Sequence, residues 1–438
     1  MQRFCPGGCQ SVKLTIMKRV LSVSFKLILT LSISIFFSSC IKDTCKHIYS
    51  YTFFQPMYKT TAEVRANIKS NPAQPIVELG KIVLLGKYIF LNEVDKGIHI
   101  IDNTDPSNPK NIAFIDIPGN EDLAVKGNTL YADLSTDLVC LDISNPLNIV
   151  VKNYNDGVFP SRSYANGFYG DTSKIIVDWI KSDTTVVDDC NLRMRLFTPG
   201  GVFLSGSMAQ NNSNSPVTNI GQTGSMARFA ILANRMYTVS NSDLNVFNIS
   251  NPFSPSFTKK VETNNWNIET IFPFKNKLFI GSQNGVFIYN TNNPDVPVLD
   301  GQFGHIKSCD PVIADGSNAF VTLRSGNMCQ GFTNELDVLQ LNSLSNPQLV
   351  KSYKFTNPHG LSKDGNILFV CDGPDGLKIY DAGDVRNLKL LKQFEGIETY
   401  DVIATNNIAL VVAKDGLYQY DYSDVNNIKQ VSKMVVSK

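Results

Sequence analysis

His359 is the side chain best placed to do chemistry. It stands in Asn357-Pro358-His359-Gly360, at the head of a strand-like segment. A histidine beside a carboxylate can act as a general base or a metal ligand, because its ordinary pKa lies near neutrality. Carboxylates stand at the matching position of other segments: Glu121 with Asp122, Glu269, Asp310 and Asp401. Arg228, Lys81 and Tyr400 occupy that position too. Such a set would suit a hydrolase or lyase. Other features speak against it. No H-E-x-x-H or comparable ligand pair is present, and His47, His99 and His305 are far apart in sequence. Ser161, Ser163 and Ser207 have no G-x-S-x-G context. The loops 372–376 (DGPDG) and 93–97 (EVDKG) lack the spacing of a calcium loop. A hydrogen-bonded structural histidine and tight glycine turns need fewer assumptions. No metal and no cofactor are expected.

These residues recur because the chain repeats itself. GIHIIDNTDPSNP (97–109), DLVCLDISNP (137–146), DLNVFNISNP (243–252), GVFIYNTNNP (285–294), ELDVLQLNSLSNP (335–347), GLKIYDAGDVRN (376–387) and GLYQYDYSDVNN (416–427) are one motif. Its marks are Asp102, Asp142, Asn248, Asn290, Leu341, Asp381 and Asp421. Most spacings lie near 40 residues, with four short alternating strands in each, which is the pattern of propeller blades. The long gap from Asp142 to Asn248 contains SKIIVDWIK (173–181) and CNLRMRLF (190–197). It predicts an eighth, degraded blade with an insertion at about 155–224. The fold class expected is therefore all-β: one propeller of about eight four-stranded blades over 76–438, seven being the runner-up. An open solenoid is the other arrangement, disfavoured because no capping segment is evident. The first strand of each blade would line the axis. Glu121, Asp122, Arg228, Glu269, Asp310, His359 and Asp401 would then ring one mouth of the channel, where a repetitive scaffold can hold varied residues for binding. The last strand, 429–436, is expected to close the ring near Ile76–Leu79.

The strands LVCLD (138–142), IHIID (98–102), LNVFN (244–248) and LKIYD (377–381), each followed by its turn, resemble the LVIVD-repeat family. The resemblance covers nearly all of 76–432 and implies an exported propeller, in many cases a bacterial lipoprotein. It implies no reaction. The function expected is a non-enzymatic binding or interaction scaffold for protein or glycan. The alternative is an envelope hydrolase or lyase using His359 and the mouth carboxylates.

The chain's start fits export. Lys18-Arg19, an apolar run and Ser38-Ser39-Cys40 read as a secretory signal over 1–39, with 1–16 as an upstream extension. Phe37-Ser38-Ser39-Cys40 resembles the bacterial lipobox, which makes Cys40 the expected lipidation site and membrane anchor. The localisation expected is the bacterial cell envelope, at the outer membrane. Residues 40–75 would be a tether with one short helix, started by the capping box Thr60-Thr61-Ala62-Glu63 and ended by Asn71-Pro72. Export permits disulfides. Cys309 and Cys329 are the best pair, while Cys140 and Cys371, inside apolar strands, are expected to be buried thiols. The net charge of +1 gives no support to nucleic-acid binding. A monomer is expected.

Overall fold

The computed structural model describes residues 47–162, 168, 170–188, 211–212, 222–240, 242–263, 268–304, 311–325 and 333–437. The chain forms two compact units. In the smaller, 1–52 with 183–198, Thr52 Oγ1 donates to Asp183 at 2.7 Å. The larger, 53–182 with 199–438, is a β-propeller.

The propeller has seven blades, each a continuous piece of chain: 79–116, 123–155, 229–262, 268–304, 312–354, 361–394 and 399–435. They are numbered 1 to 7 below. Within each blade, four strands pair in sequence order. Blade 1 gains an edge strand, Ser70–Asn71, and two inner strands, Gln222–Ser225 and, paired with it, Asn211–Asn212. The expected eighth blade does not form. Its best strand, Ile175–Asp188, instead pairs with His47–Lys59 in a two-stranded sheet. Blades 2 and 3 then meet directly. Ala124, Tyr131 and Leu138 of blade 2 share one core with Phe229, Met236 and Phe247 of blade 3. Apolar alternation in 173–181 satisfied the strand pattern, but pattern alone does not choose the partner.

The helix spans Thr61–Asn67, with its capping box made by Thr60 and Glu63. It ends before the predicted stop, because Ser70 and Asn71 extend as a strand against Ile115 and Phe114.

A blade is apolar on both faces, so only neighbours can bury it. All of Thr129–Leu134 is buried, whereas the outer strand Val150–Asn155 is not. One core runs through three blades: Phe279 and Ile288 of blade 4, Phe320 and Val338 of blade 5, Leu368 and Val370 of blade 6. Third strands often start on glycine because the fourth strand crosses there. A Cβ on Gly376 would stand 1.9 Å from the Phe394 carbonyl, and its φ of +83° also favours glycine.

The repeated mark ends the third strand as an Asx turn, its side-chain oxygen accepting an N–H two residues on. Asp102 takes Thr104 N–H (2.9 Å), Asp142 takes Ser144 (3.0 Å), Asn248 takes Ser250 (2.9 Å) and Asn290 takes Asn292 (2.8 Å). Asp381 and Asp421 act likewise on Gly383 and Ser423, at 2.9 Å each. In blade 5 the register sets Gln340, not Leu341, at this position: Gln340 faces Asn318 as Asp102 faces Tyr88. Leu341 is buried one step beyond the strand end. Every outer strand then carries a bulge near its start, such as that opposite Val338/Leu339. Tyrosines hook the turn of the next blade: Tyr131 Oη donates to Pro252 O and Tyr237 Oη to Pro294 O, both at 2.8 Å.

The ring closes without strand exchange. Lys429–Val435 is the outer strand of blade 7, and only Ser437 N–H reaches Ile76 O, at 2.7 Å. Ile82, Ile89 and Leu91 of blade 1 pack with Ile403, Leu410 and Val412 of blade 7. Asn103 and Gln419 exchange two amide hydrogen bonds, of 3.0 and 2.7 Å, across the same seam.

Candidate functional site

Antiparallel order fixes the two ends of the propeller. First strands begin at one end, the mouth. The turns joining strands 1–2 and 3–4 lie at the other, the turn end. Lys81, Glu121, Asp122, Arg228, Glu269, His359, Tyr400 and Asp401 stand at or before first-strand starts, hence at the mouth. Asp310, the pair Cys309 and Cys329, and Cys40 lie outside the described residues. Cys140 and Cys371 are buried free thiols.

A segment of the chain runs along the first strands and ends at the mouth. Gln222–Ser225 pairs antiparallel with the first strand of blade 1, Gln222 facing Leu84 and Thr223 facing Val83. It also packs on the first strands of blades 6 and 7. Its backbone is held by the ring. Ser225 N–H donates to Asp401 at 3.3 Å, and Ser225 Oγ accepts Leu361 N–H at 2.7 Å. Arg228 N–H donates to Asp122, whose other oxygen takes Leu123 N–H at 2.7 Å. Lys81 Nζ donates to Met226 O and stands 3.8 Å from Asp122. Lys81, Asp122 and Asp401 line a narrow cleft with Thr223, Gly224 and Ala227. Burial pushes the Asp122 and Asp401 carboxyls up and the Lys81 ammonium down, and the opposite charges partly offset it.

Beside the cleft the charges neutralise one another. Glu121 bridges Arg228 Nη1 at 2.7 Å and Arg162 Nη2 at 3.0 Å. Burial raises the Glu121 carboxyl, but Arg162 and Arg228 outweigh it and hold it low. Arg162 also reaches Asp95 and the Gly119 carbonyl. Beneath them Asp133 is buried, accepting Glu121 N–H and Asp122 N–H at 2.9 Å each and Asn120 Nδ2 at 2.7 Å. Burial, then Glu121, pushes its carboxyl up to about 7.

The remaining ring positions stand apart from this group. His359 is buried, with Nε2 3.2 Å from Asn357 Nδ2 and its ring edge-on to Tyr400, centroids 5.4 Å apart. Burial and the field of Arg324 push its pKa well below the usual value, so it is neutral. Its partner at Nε2 is an amide, and no carboxylate is bonded to its ring among the described residues. Glu269 takes Gln283 Nε2 at 3.2 Å, and burial raises its carboxyl. No group of three His, Cys, Asp or Glu able to hold a metal occurs among the described residues. The 372–376 loop is a glycine turn whose Asp372 and Asp375 both hold Lys378, at 2.5 and 3.1 Å.

Sequence reasoning missed Asp133; it had Arg162 only as one residue of the 155–224 insertion and Asp95 only as part of the 93–97 turn. It also missed a shared device. Glu93 accepts Val77 N–H at 3.0 Å and Glu78 N–H at 2.5 Å, and Asp372 accepts Thr356 and Asn357 N–H at 3.0 and 2.8 Å. In blades 1, 2 and 6, an acid in or just after the second strand braces the approach to the first. Acids in the apolar runs IFLNE, LYAD and LFVCD were the available sign.

The model of the LVIVD repeat matches residues 78–113 and 120–156, which are blades 1 and 2. No curated protein matches the chain. A solved protein from Lactobacillus plantarum is similar in fold, with a TM-score of 0.51 and 12% identity over 82% of this chain and 96% of that one. The computationally designed Ika8 protein gives 0.48 and 11%, over 82% and 90%. PorZ of Porphyromonas gingivalis, a bacterial surface component of the type-IX secretion system, gives 0.46 and 12%, over 84% and 40%. The chain carries LVIVD repeats and folds as a seven-bladed β-propeller.

Proposed function

We propose that this propeller is a non-enzymatic binding scaffold of the bacterial cell envelope, anchored to the outer membrane by acylated Cys40. The observation that carries the binding role is the mouth. Among its described residues, Glu121, Asp122, Asp401, Lys81 and Arg228 are matched to one another or to the backbone of 222–228, and His359 faces an amide. A site so neutralised holds a surface in shape and offers no activated base. Anchoring rests on the basic start, apolar run and Ser-Ser-Cys of residues 18–40. A protein or glycan partner would meet Glu121 and the partly buried Arg162 and Arg228 at the mouth.

Two measurements test this. Metabolic labelling with palmitate should mark the wild type and not Cys40→Ala; equal labelling defeats the anchor. Affinity capture from envelope extract should recover partners with wild type that Glu121→Ala/Arg228→Ala loses. That double change removes a matched pair and leaves Asp122 and Asp401 in place. Recovery of the same partners by both proteins defeats the mouth as a binding surface.

A further inference from the structure

The turn end is where the blades differ in a way the fold does not require. An Asx turn needs a side-chain carbonyl oxygen, which Asp and Asn both supply. Blades 1, 6 and 7 use Asp at both turn positions: Asp102 and Asp105, Asp381 and Asp384, Asp421 and Asp424. Blades 3 and 4 use Asn248 with Asn251 and Asn290 with Asn293. Blade 5 has Gln340 and Ser343. Blades 3 and 4 thus keep the Asx turn and drop its charge, and blade 5 carries no acid at either position.

The same sector exposes apolar side chains at the start of its outer strands. Phe257, Val298, Leu299 and Leu349 are 46%, 54%, 52% and 51% exposed. Blades 1 and 7 place Asn111 and Gln430 at the position of Phe257, Leu299 and Leu349, and blade 6 places Leu390 there, 53% exposed but beside the charged turn of Asp381 and Asp384. The acids that do occur nearby are matched: Asp295 by Arg235 at 2.6 Å and Asp300 by Lys277 at 2.8 Å. Lys259, Lys275 and Lys351 are exposed, and none pairs with a carboxylate among the described residues. Lysines on outer strands also discourage edge pairing, and Lys260 and Lys354 fit that role through Asp243 and Glu335. Edge protection does not explain the exposed Phe and Leu beside the unmatched lysines, since apolar edges invite pairing.

We infer that the turn-end rim of blades 3 to 5 docks on an anionic lipid surface. The apolar groups enter the interface, and Lys259, Lys275 and Lys351 meet the headgroups. The inference rests on the envelope anchor proposed above. Twelve residues separate Cys40 from Phe53, where the propeller unit begins. Fully extended they reach about 45 Å, so an acylated Cys40 keeps the propeller beside the bilayer. Docking by the turn end would leave the mouth facing away from the membrane.

Vesicle sedimentation tests it, using residues 41–438, which contain every described residue and carry no acyl chain. Wild type should bind phosphatidylethanolamine vesicles containing about 30% phosphatidylglycerol, and not phosphatidylcholine vesicles. Lys259→Glu/Lys275→Glu/Lys351→Glu should weaken binding about a hundredfold, each lysine near such a surface contributing about fivefold. Phe257→Ser/Leu299→Ser/Leu349→Ser should weaken it about tenfold. Lys110→Glu/Lys429→Glu, on blades 1 and 7, should leave it unchanged. Equal binding to both vesicle types, or a lysine triple variant that binds like wild type, overturns the inference. So does a protein that ignores vesicles but forms a dimer broken by the apolar triple variant, since the occupant is then a second copy. Palmitate labelling of Cys40 with no vesicle binding would sink the docking alone. Vesicle binding without labelling would sink the anchor alone.

Discussion

The mouth and the turn end vary from blade to blade in opposite ways. At the mouth the varied residues are committed to one another. Asp122 and Asp401 hold the backbone of 222–228, and Glu121 ties Arg162 to Arg228. At the turn end the shared element is a single side-chain oxygen, and charge is free to change around it. Variation at the mouth is therefore structural first, and variation at the turn end can serve the surface. Changes at the mouth should cost stability, whereas changes at the turn end should cost little.

The largest effect should come from Asp133→Ala. It strands two backbone N–H groups and an amide, and should destabilise the fold by about 3 kcal/mol in denaturant titration. A loss under about 1 kcal/mol would break the contrast. Asp133 also sets a pH signature. Its carboxyl is pushed up to about 7 by burial, above its unfolded value. The folded state keeps the proton between those limits, so this contribution is present at low pH and lost as pH rises toward 7. The stability of wild type relative to Asp133→Asn should fall over that interval; a flat difference removes Asp133 as the titrating group.

Smaller effects belong to the turn end. Tyr237→Phe loses the hook to Pro294 and should cost about 1 kcal/mol. Asp142→Ala should cost a similar amount, about 1 kcal/mol, because it removes the Asx acceptor. Asp142→Asn keeps the acceptor and loses only a partly exposed pair with Lys152, so it should cost less than about 0.5 kcal/mol. If Asn and Ala prove equal at 142, the turn depends on charge and the contrast fails.

Blades were legible in the sequence because six of the seven repeat an Asx turn at the end of the third strand. The count was not, since 173–181 alternates like a blade strand while its partner, 47–59, lies more than a hundred residues away. Blade 5 slipped by one residue where Gln340 replaces the Asx mark. The mouth residues were legible by register, since matched positions on first strands reach the same end. Their mutual pairing was not. It depends on 222–225 pairing along the first strand of blade 1 and on Arg162 arriving from the insertion, which no local pattern encodes.

The seam between blades 7 and 1 bears on how such a ring can be rewired. No sheet draws strands from both ends of the propeller, and Ser437 already touches Ile76. A short peptide joining those two points in place of 1–75, with a new break at another blade boundary, would keep the four strands of every blade and lose from the sheets only the edge strand Ser70–Asn71. The order in which blades leave the ribosome is therefore separable from the ring they build, and circular permutants should recover the same propeller.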